Sequence, residues 1–217
     1  PAGCGKTETL ALRVKGLLDR QAVKASQRIL LTTFTNRARD NMHNRLRRYL
    51  TPREMREAVT VCNFHGLSAR IIQAHSNVIG LDPTRLTMPQ NDWVGERCRA
   101  LKLKGLTNDV KSDISLVKRR ALNDEQVLAE LQRSGNQYAS MIEEQRQAES
   151  RLTYDDLPRL AELILANDEV AALYQRHFGA IIVDEFQDLT PQQLRIVQRI
   201  GYKKTTYAGD LAQGIYA

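Results

Sequence analysis

The chain has 217 residues, of which 42% are hydrophobic, enough to bury the core of one or two domains. The formal net charge of +7 is compatible with binding to a polyanion, although charge by itself does not indicate a fold. The three cysteines are isolated from one another and no apolar run is long enough to cross a bilayer, which disfavours a thiolate metal cluster and a membrane-spanning protein.

A glycine-rich segment, Pro-Ala-Gly-Cys-Gly-Lys-Thr, occupies residues 1–7. It matches the end of a phosphate-binding loop, whose full pattern is a glycine, four residues of any type and then Gly-Lys-Ser/Thr. The leading glycine of that pattern would precede Pro1, so we expect the chain to be an incomplete piece of a larger protein. The alternative is a chance glycine-rich turn, because the strand that normally precedes such a loop is absent from this sequence.

The chemistry of phosphate binding accounts for these residue types. Glycines allow the backbone N–H groups to point at phosphate oxygens. Lys6 would contact the β- and γ-phosphates of ATP, and the Thr7 hydroxyl would bind Mg²⁺. The helix expected to follow adds the positive potential of its N-terminus. The residues predicted to bind the nucleotide are Gly3, Cys4, Gly5, Lys6, Thr7 and Glu8.

The next part of the chain alternates between strand and helix patterns. Apolar runs predict strands over residues 28–34 and 59–64, and helical spacing predicts helices over 36–50 and 66–79. This alternation predicts an α/β fold, with a parallel sheet covered by helices.

The character of the sequence changes after residue 80. Pro83 and Pro89 interrupt the pattern, and residues 92–150 show helical periodicity with no convincing strand. We therefore expect a helical insertion between two parts of one α/β domain. The predicted boundaries are a first part at 1–84, the insertion at 85–150 and a second part at 151–217.

The α/β pattern returns in the last part. Asp155 and Asp156 are expected to cap a helix, residues 191–200 are expected to form another, and residues 204–208 a final strand. An apolar run at 180–183 predicts a buried parallel strand that ends at Asp184 and Glu185.

These two acids lie where parallel sheets place ligands, at the carboxyl end of a strand. Asp184 would hold Mg²⁺, and Glu185 would orient and deprotonate an attacking water. The alternative is that the two acids cap a helix.

Together these segments resemble superfamily 1 DNA helicases of the UvrD/Rep/PcrA type. Residues 184–188, Asp-Glu-Phe-Gln-Asp, are similar to the acidic box of that family. Four further segments resemble family motifs in the same order, and these are residues 31–38, 63–67, 152–157 and 209–216. The resemblance covers nearly the whole chain and is weakest between about residues 85 and 150.

The resemblance implies the N-terminal motor half of an ATP-dependent helicase. Its fold would be a RecA-like P-loop NTPase domain, 1A, with a helical insertion, 1B. The whole protein would hydrolyse ATP with Mg²⁺ and move along single-stranded DNA in the 3′-to-5′ sense. Its partner would be single-stranded DNA or a junction with duplex DNA, and its location the bacterial cytoplasm or nucleoid.

The resemblance also implies roles for residues outside the phosphate loop. Gln213 would sense the γ-phosphate, so that the catalytic set becomes Lys6, Glu185 and Gln213, and Gln187 would link the nucleotide and DNA sites. Aromatic side chains would stack on bases and polar groups would bond phosphates. The predicted DNA-binding residues are Thr33, Phe34, Thr35, Asn36, Phe64, His65 and Tyr216.

Other functions stay open at this point. One alternative is a RecB/AddA-type helicase–nuclease, and another is a nucleotide-gated DNA-binding module without motor activity. The pathway, whether DNA repair, replication restart, plasmid replication or defence, also stays open. The resemblance implies that arginine fingers come from a domain 2A that would follow residue 217, so we expect weak or no ATP hydrolysis by the chain alone.

Overall fold

The computed structural model describes residues 5–210, and it is an α/β fold around one parallel sheet. All three strand pairings are parallel, and the order across the sheet is β2-β1-β3-β4. The strands are β1 Arg28–Thr33, β2 Val59–Asn63, β3 Phe178–Val183 and β4 Thr205–Tyr207. The predicted fold class is confirmed.

Eleven α-helices occur among the described residues. They are α1 Lys6–Asp19, α2 Asn36–Leu46, α3 Pro52–Glu57, α4 Phe64–His75, α5 Trp93–Ala100, α6 Thr107–Lys118, α7 Asp124–Ser134, α8 Gln137–Ala148, α9 Asp156–Leu165, α10 Asp168–His177 and α11 Pro191–Gly201. Short 3₁₀ helices lie at Ser76–Ile79 and Phe186–Asp188. None of the described helices is both long and apolar enough to cross a membrane.

The sheet lies in a compact unit formed by residues 5–67 and 168–210 of the described chain. The central strand β1 is buried along almost its whole length, because it pairs with β2 on one side and β3 on the other. One core cluster joins apolar residues of β1, β2 and β3 to those of α1 and α2, including Ile29, Ile182 and Val14. Continuous apolar strands of this kind are typical of parallel sheets that are covered on both faces.

The second compact unit, Ser68–Asn167, contains α5 to α9 and no strand among its described residues. Its core cluster includes Trp93, Ile114, Leu131 and Ile142. A single bridge between Thr87 and Arg151 joins the segments that flank its helices. The unit begins earlier and ends later than the predicted insertion at 85–150, and the assignment of domains 1A and 1B stays a prediction.

Two helices were not predicted, and one was predicted too long. Helix α2 ends at Leu46 rather than residue 50, although Leu50 is buried, because a turn can also deliver an apolar side chain to the core. Helix α3 follows at once. Its start has a sequence signal, since Thr51 and Glu54 form a capping box around Pro52. Helix α10 directly precedes β3.

The predicted capping role of Asp155 and Asp156 is wrong. Asp155 precedes α9, but its side chain accepts no capping hydrogen bond from that helix. Asp156 is fully buried as the first residue of α9, and its carboxylate accepts hydrogen bonds from the backbone N–H and the hydroxyl of Thr153. The carboxylate is required by a buried charge cluster, which is described below.

Candidate functional site

The candidate site lies where β1, β3 and β4 end, at the carboxyl edge of the sheet. The backbone N–H of Asp184, just after β3, donates to the carbonyl of Thr32 on β1 at 3.0 Å. On the other side of β3, the N–H of Ala208, just after β4, donates to the carbonyl of Val183 at 2.8 Å. The residues that follow each strand are therefore held at one edge, which is the ligand-binding edge of open α/β sheets.

Gly5 begins the described part of the phosphate loop and adopts a backbone that favours glycine. Its φ is 79°, in the left-handed region, and it is the N-cap of α1. The N–H of Thr9 donates to its carbonyl at 2.9 Å, which starts the helical hydrogen bonding. The first N–H groups of a helix have no acceptor within the helix, so this end of α1 is suited to binding an anion.

The phosphate loop and the acidic strand end meet through one ion pair. Lys6 Nζ lies 2.8 Å from Glu185 Oε2, and both side chains are partly exposed. The two residues are 179 positions apart in the chain. The hydrogen bond from Lys6, with a second one from Gln187, lowers the pKa of Glu185, so the carboxylate is held in its charged form.

Asp184 differs from its neighbour because it is buried, with 6% of its surface exposed. Burial, with the nearby charge of Glu185, raises the pKa of Asp184. Its Oδ1 accepts the N–H of Glu185 at 3.0 Å. A buried carboxylate is a hard oxygen ligand that a divalent cation would stabilise, and Thr7, half-buried in the first turn of α1, adds a hydroxyl. These donors fit Mg²⁺.

Glu185 has a strained backbone. Its φ of 51° and ψ of 49° lie in the left-handed region, which non-glycine residues rarely adopt. Such strain persists where the surroundings hold it, and it is often found at functional sites. Here Glu185 is held by the hydrogen bond of its Oε2 with Gln187 Nε2 at 2.8 Å and by the ion pair with Lys6.

Gln187 connects the acidic box to the segment after β4. Its Nε2 donates to Glu185, while its Oε1 accepts the backbone N–H of Asp210 at 3.1 Å. A Cβ on Gly209 would lie 2.4 Å from the same Oε1, so a side chain at this position would displace the Gln187 amide. The structure thus places Gln187 between Glu185 and Asp210, a residue that precedes Gln213. Gln213 itself lies outside the described residues, as do Gly3, Cys4 and Tyr216.

With this geometry established, comparison with known proteins gives one family. A family model described as the UvrD/REP helicase N-terminal domain matches residues 1–217. The chain belongs to the UvrD/REP helicase family.

Curated relatives agree with this family. The chain is 27% identical to a "Putative ATP-dependent DNA helicase YjcD" of Bacillus subtilis, over all of the chain and 30% of that protein. It is 26% identical to "ATP-dependent DNA helicase PcrA" of Staphylococcus aureus, over 99% of the chain and 31% of the relative. It is 25% identical to "ATP-dependent DNA helicase Rep" of Buchnera aphidicola, over all of the chain and 35% of the relative. The chain thus spans about a third of the length of these relatives.

In this UvrD/REP helicase domain, the side chain of Glu8 is bonded to residues of α2 and of the turn that follows it. Its carboxylate accepts hydrogen bonds from Tyr49 and, at 2.8 Å, from Arg45. The hydrogen bond from Tyr49 lowers the pKa of Glu8, and the charge of Arg45 lowers it further. The predicted nucleotide contact of Glu8 therefore rests on its backbone N–H in the first turn of α1, and it stays a prediction.

The predicted DNA-binding residues of the motif after β1 lie together at the strand end. Phe34 has 41% of its surface exposed, which leaves its ring accessible to a base. Thr35 is the N-cap of α2, where its hydroxyl accepts the N–H of Ala38 at 3.0 Å. Asn36 Oδ1 accepts from Asn63 Nδ2 at 2.9 Å, which ties this motif to the end of β2. Thr33 is buried, so its hydroxyl is the least accessible of the group.

Phe64 and His65 begin α4 and differ in exposure. His65 is exposed, whereas Phe64 has only 3% of its surface exposed. A buried ring cannot stack on a base without first moving out of its surroundings. The stacking role predicted for Phe64 is therefore disfavoured by its burial. The DNA contact predicted for His65 stays a prediction.

A second cluster of carboxylates lies in the helical unit and includes none of the predicted site residues. Oxygen atoms of Asp124, Glu143 and Asp156 approach one another within 4.8 Å, a separation compatible with a metal ion. Three cations already neutralise them, however. Lys118 pairs with Glu143 and Asp156, and Arg146 and Arg159 both pair with Asp124 and Asp156. We interpret this buried charge cluster as structural. The cluster could not be recognised in the sequence, since its members come from four helices.

Proposed function

We propose that the protein carrying this chain is an ATP-dependent translocase of single-stranded DNA and a DNA helicase moving 3′ to 5′, and that this chain is the N-terminal part of its motor. The observation that carries the proposal is the ion pair between Lys6 and Glu185 at the carboxyl edge of the sheet. It brings a phosphate-binding lysine and a water-activating carboxylate together from opposite ends of the chain. Family membership supports the same function.

Each residue of the site would have a distinct role in ATP hydrolysis. Lys6 would stabilise the charge on the transferring phosphoryl group, and the N–H groups at the start of α1 would orient the phosphates. Glu185, kept ionised by Lys6 and Gln187, would accept a proton from the attacking water. Mg²⁺, when bound by Asp184 and Thr7, would neutralise phosphate charge. Gln213 would sense whether the γ-phosphate is present.

Lys6 pairs with the carboxylate that would activate water. A phosphate group entering the loop would compete with Glu185 for the Lys6 ammonium. Transfer of Lys6 to the phosphate would leave Glu185 held by Gln187 alone, with its carboxylate available to water. The site would thereby become competent only when the nucleotide is in place.

The proposal also includes the domain boundaries predicted from the sequence. Residues 1–84 and 151–217 would form domain 1A, and residues 85–150 would form the insertion 1B. Single-stranded DNA would contact the motif after β1, where Phe34 is exposed for stacking and Thr35 and Asn36 supply polar groups. The protein would act in the cytoplasm or nucleoid of a bacterium.

The test is ATP hydrolysis by a protein that carries this chain at the length of its relatives, with and without single-stranded DNA. We expect strong stimulation by DNA, and a loss of about 10²- to 10⁴-fold in kcat for Glu185→Gln, because that change removes the base. Glu57→Gln, at an exposed glutamate of α3, is the matched control and should hydrolyse ATP like the wild type.

The outcomes separate the alternative functions. Absence of DNA stimulation, with nucleotide and DNA binding both intact, would contradict the motor and favour a nucleotide-gated binding module. DNA-stimulated hydrolysis accompanied by DNA cleavage that needs a divalent metal would favour the helicase–nuclease type. Stimulated hydrolysis with strand displacement and no cleavage would support the proposal.

A further inference from the structure

Glu8 lies at a position of α1 from which its side chain could close the phosphate site. Gly5 is the N-cap of α1 and Lys6 its first residue, so Glu8 is the third residue of the helix. A glutamate at this position can reach back and accept a hydrogen bond from the backbone N–H of the N-cap residue. In α1 that N–H belongs to the loop that would bind the phosphates of ATP. A carboxylate placed there would occupy a phosphate-binding donor and repel the triphosphate.

Three other helices of the chain have their third residue in this capping arrangement. At the start of α3, Glu54 Oε2 accepts the backbone N–H of the N-cap Thr51 at 2.7 Å. Gln126 in α7 and Gln193 in α11 accept the N–H of their own N-cap residues in the same way. The conformation that would block the phosphate site is therefore the one adopted at the corresponding position of these three helices.

The carboxylate of Glu8 is instead held by two donors from the end of α2 and the turn after it. The hydroxyl of Tyr49 donates to Glu8 Oε1, and Arg45 Nη1 donates to Glu8 Oε2 at 2.8 Å. Each carboxylate oxygen therefore has its own donor. Arg45 also supplies the counter-charge, since the same contact is an ion pair.

Neither donor is close to Glu8 in the chain, since Arg45 is 37 positions away and Tyr49 is 41. Arg45 lies in the last turn of α2, and Tyr49 lies in the turn that follows, where its N–H donates to the carbonyl of Leu46 at 3.0 Å. Tyr49 is partly buried and packs against the core cluster of the sheet unit. The packing of the core thus fixes the hydroxyl that fixes the carboxylate.

We propose that Tyr49 and Arg45 are positioning residues for nucleotide binding, which hold the Glu8 carboxylate away from the N-terminus of α1 and leave its N–H groups to the phosphates. This inference rests on the proposed function, because it concerns the same phosphate site. In this role neither residue touches the nucleotide, and each acts through Glu8. Loss of both donors would allow the charged side chain to turn back to the Gly5 N–H, as Glu54 does to its own N-cap.

A contact that served only to join α1 to α2 would behave differently. Such a contact would stay broken after its donors were removed, whether or not the Glu8 carboxylate remained. If Tyr49 and Arg45 act by diverting that carboxylate, a protein without the carboxylate no longer needs them. Removing Glu8 from the weakened variant therefore separates the two roles.

The test is nucleotide binding by a protein that carries this chain at the length of its relatives. A fluorescent ATP analogue is titrated with Mg²⁺ and followed by anisotropy, and unlabelled tripolyphosphate, which has phosphates but no base, competes for the site. We expect the double variant Arg45→Ala/Tyr49→Phe to bind both ligands at least tenfold more weakly than the wild type. Each single variant should lose less, because one donor remains.

The decisive variant adds Glu8→Ala to the double variant. This triple variant should bind both ligands at least fivefold more tightly than the double variant, because alanine cannot reach the N-cap. Tyr49→Phe keeps the packing of the ring, so it replaces the double variant if that protein unfolds. It should by itself weaken binding at least twofold, and the addition of Glu8→Ala should reverse the loss.

Arg47→Ala is the matched control for charge. Arg47 is exposed, it lies two residues after Arg45, and no hydrogen bond or ion pair joins it to Glu8 within residues 5–210. Its replacement removes one positive charge from the same surface and leaves both donors to Glu8 in place. The control should bind the ATP analogue like the wild type.

The outcomes separate this inference from the proposed function. Weak binding by the double variant that the triple variant recovers supports the inference. Equal affinities of the wild type and the double variant overturn it and leave the proposed function intact. Equally weak binding by the double and triple variants, or an equal loss in Arg47→Ala, also overturns it. A wild type that binds no ATP analogue would overturn the proposed function and the inference together.

Discussion

Glu185 combines an unfavourable backbone conformation with a central place in the candidate site. The left-handed backbone orients its carboxylate toward Lys6 and Gln187, and both contacts are local to the carboxyl edge of the sheet. A residue that served only to link β3 to the 3₁₀ turn would be expected to be glycine, which adopts this conformation at little cost. The presence of glutamate is consistent with the role proposed for its side chain.

This conformation makes a prediction about stability. Glu185→Gly should be more stable than Glu185→Ala by about 1 kcal/mol, because alanine keeps the left-handed strain and glycine removes it. Urea unfolding of the two variants measures the difference. Ser112 on α6 is the control, since an exposed helical position should give the opposite order, with alanine more stable than glycine by about 1 kcal/mol. The same order at both positions would contradict the interpretation.

At the scale of elements, the helical unit depends on the buried charge cluster. Lys118 on α6, Glu143 and Arg146 on α8, and Asp156 and Arg159 on α9 are all about 1% exposed or less. Asp124 at the start of α7 completes the cluster. Removing one partner from such a cluster leaves buried charges uncompensated, which is far more costly than losing an exposed pair.

We expect Asp156→Asn to lower the free energy of unfolding by about 3–5 kcal/mol at pH 7, because Lys118 and Arg159 would lose a buried counter-charge. Chemical denaturation of the helical unit, followed by helix content, measures this loss. Breaking the exposed Arg53–Glu57 pair with Arg53→Ala is the control and should cost less than about 1 kcal/mol. Equal costs would mean that the cluster is no stronger than a surface pair.

The loss of stability caused by Asp156→Asn should depend on pH. The charges of Lys118, Arg146 and Arg159 outweigh burial and hold the pKa of Asp156 well below its ordinary value. Its contribution to stability is therefore complete above the unfolded pKa, near 4, and is lost as the pH falls toward the lower folded pKa. The stability difference between wild type and Asp156→Asn should be flat from about pH 5 to 8 and shrink below about pH 4.

Helix α11 begins with a reciprocal cap between Thr190 and Gln193. Thr190 Oγ1 accepts the N–H of Gln193 at 3.2 Å, and Gln193 Oε1 accepts the N–H of Thr190 at 3.1 Å. Thr190→Ala should reduce stability by about 1 kcal/mol. The N–H of Gln193 would lose its acceptor, and the reciprocal hydrogen bond from the N–H of Thr190 to Gln193 would be weakened. Thermal unfolding measures it, with Ser112→Ala as a control in which no cap is lost. A destabilisation of similar size in the control would contradict a specific capping effect.

At the scale of the whole molecule, each compact unit contains a hydrophobic core cluster of its own. Ile182 on β3 belongs to the core cluster of the sheet unit, and Leu131 on α7 to that of the helical unit. Both side chains are fully buried, so each deletion should leave a cavity in its own core.

Ile182→Ala and Leu131→Ala should each cost about 2–5 kcal/mol. Because the two residues share no core cluster, the costs should add to within about 0.5 kcal/mol in the double variant. Hydrogen exchange, read separately for amides of β3 and of α7, measures each loss and their sum. A coupling above about 1 kcal/mol would show that the two cores act as one cooperative system.

The local patterns of the sequence determined most of the elements. Apolar runs predicted β1, β2 and β3 because a strand buried on both faces must be apolar throughout, and this requirement depends only on neighbouring residues. The glycine-rich loop and the acidic pair after β3 were recognisable for the same reason, since binding phosphate and metal needs particular residue types at short spacing. The family was therefore predictable from the sequence by itself.

Only the tertiary structure decided which distant residues meet. The strand order β2-β1-β3-β4 brings the acidic strand end of β3 into the sheet edge where Lys6 meets Glu185 across 179 positions. Packing around the start of α4 buries Phe64, and the packing of α6 to α9 assembles six charges from four helices. Such contacts depend on the packing of whole elements rather than on neighbouring residues, which is the physical reason why the sequence determined the local structure and the tertiary fold determined the environment of each site.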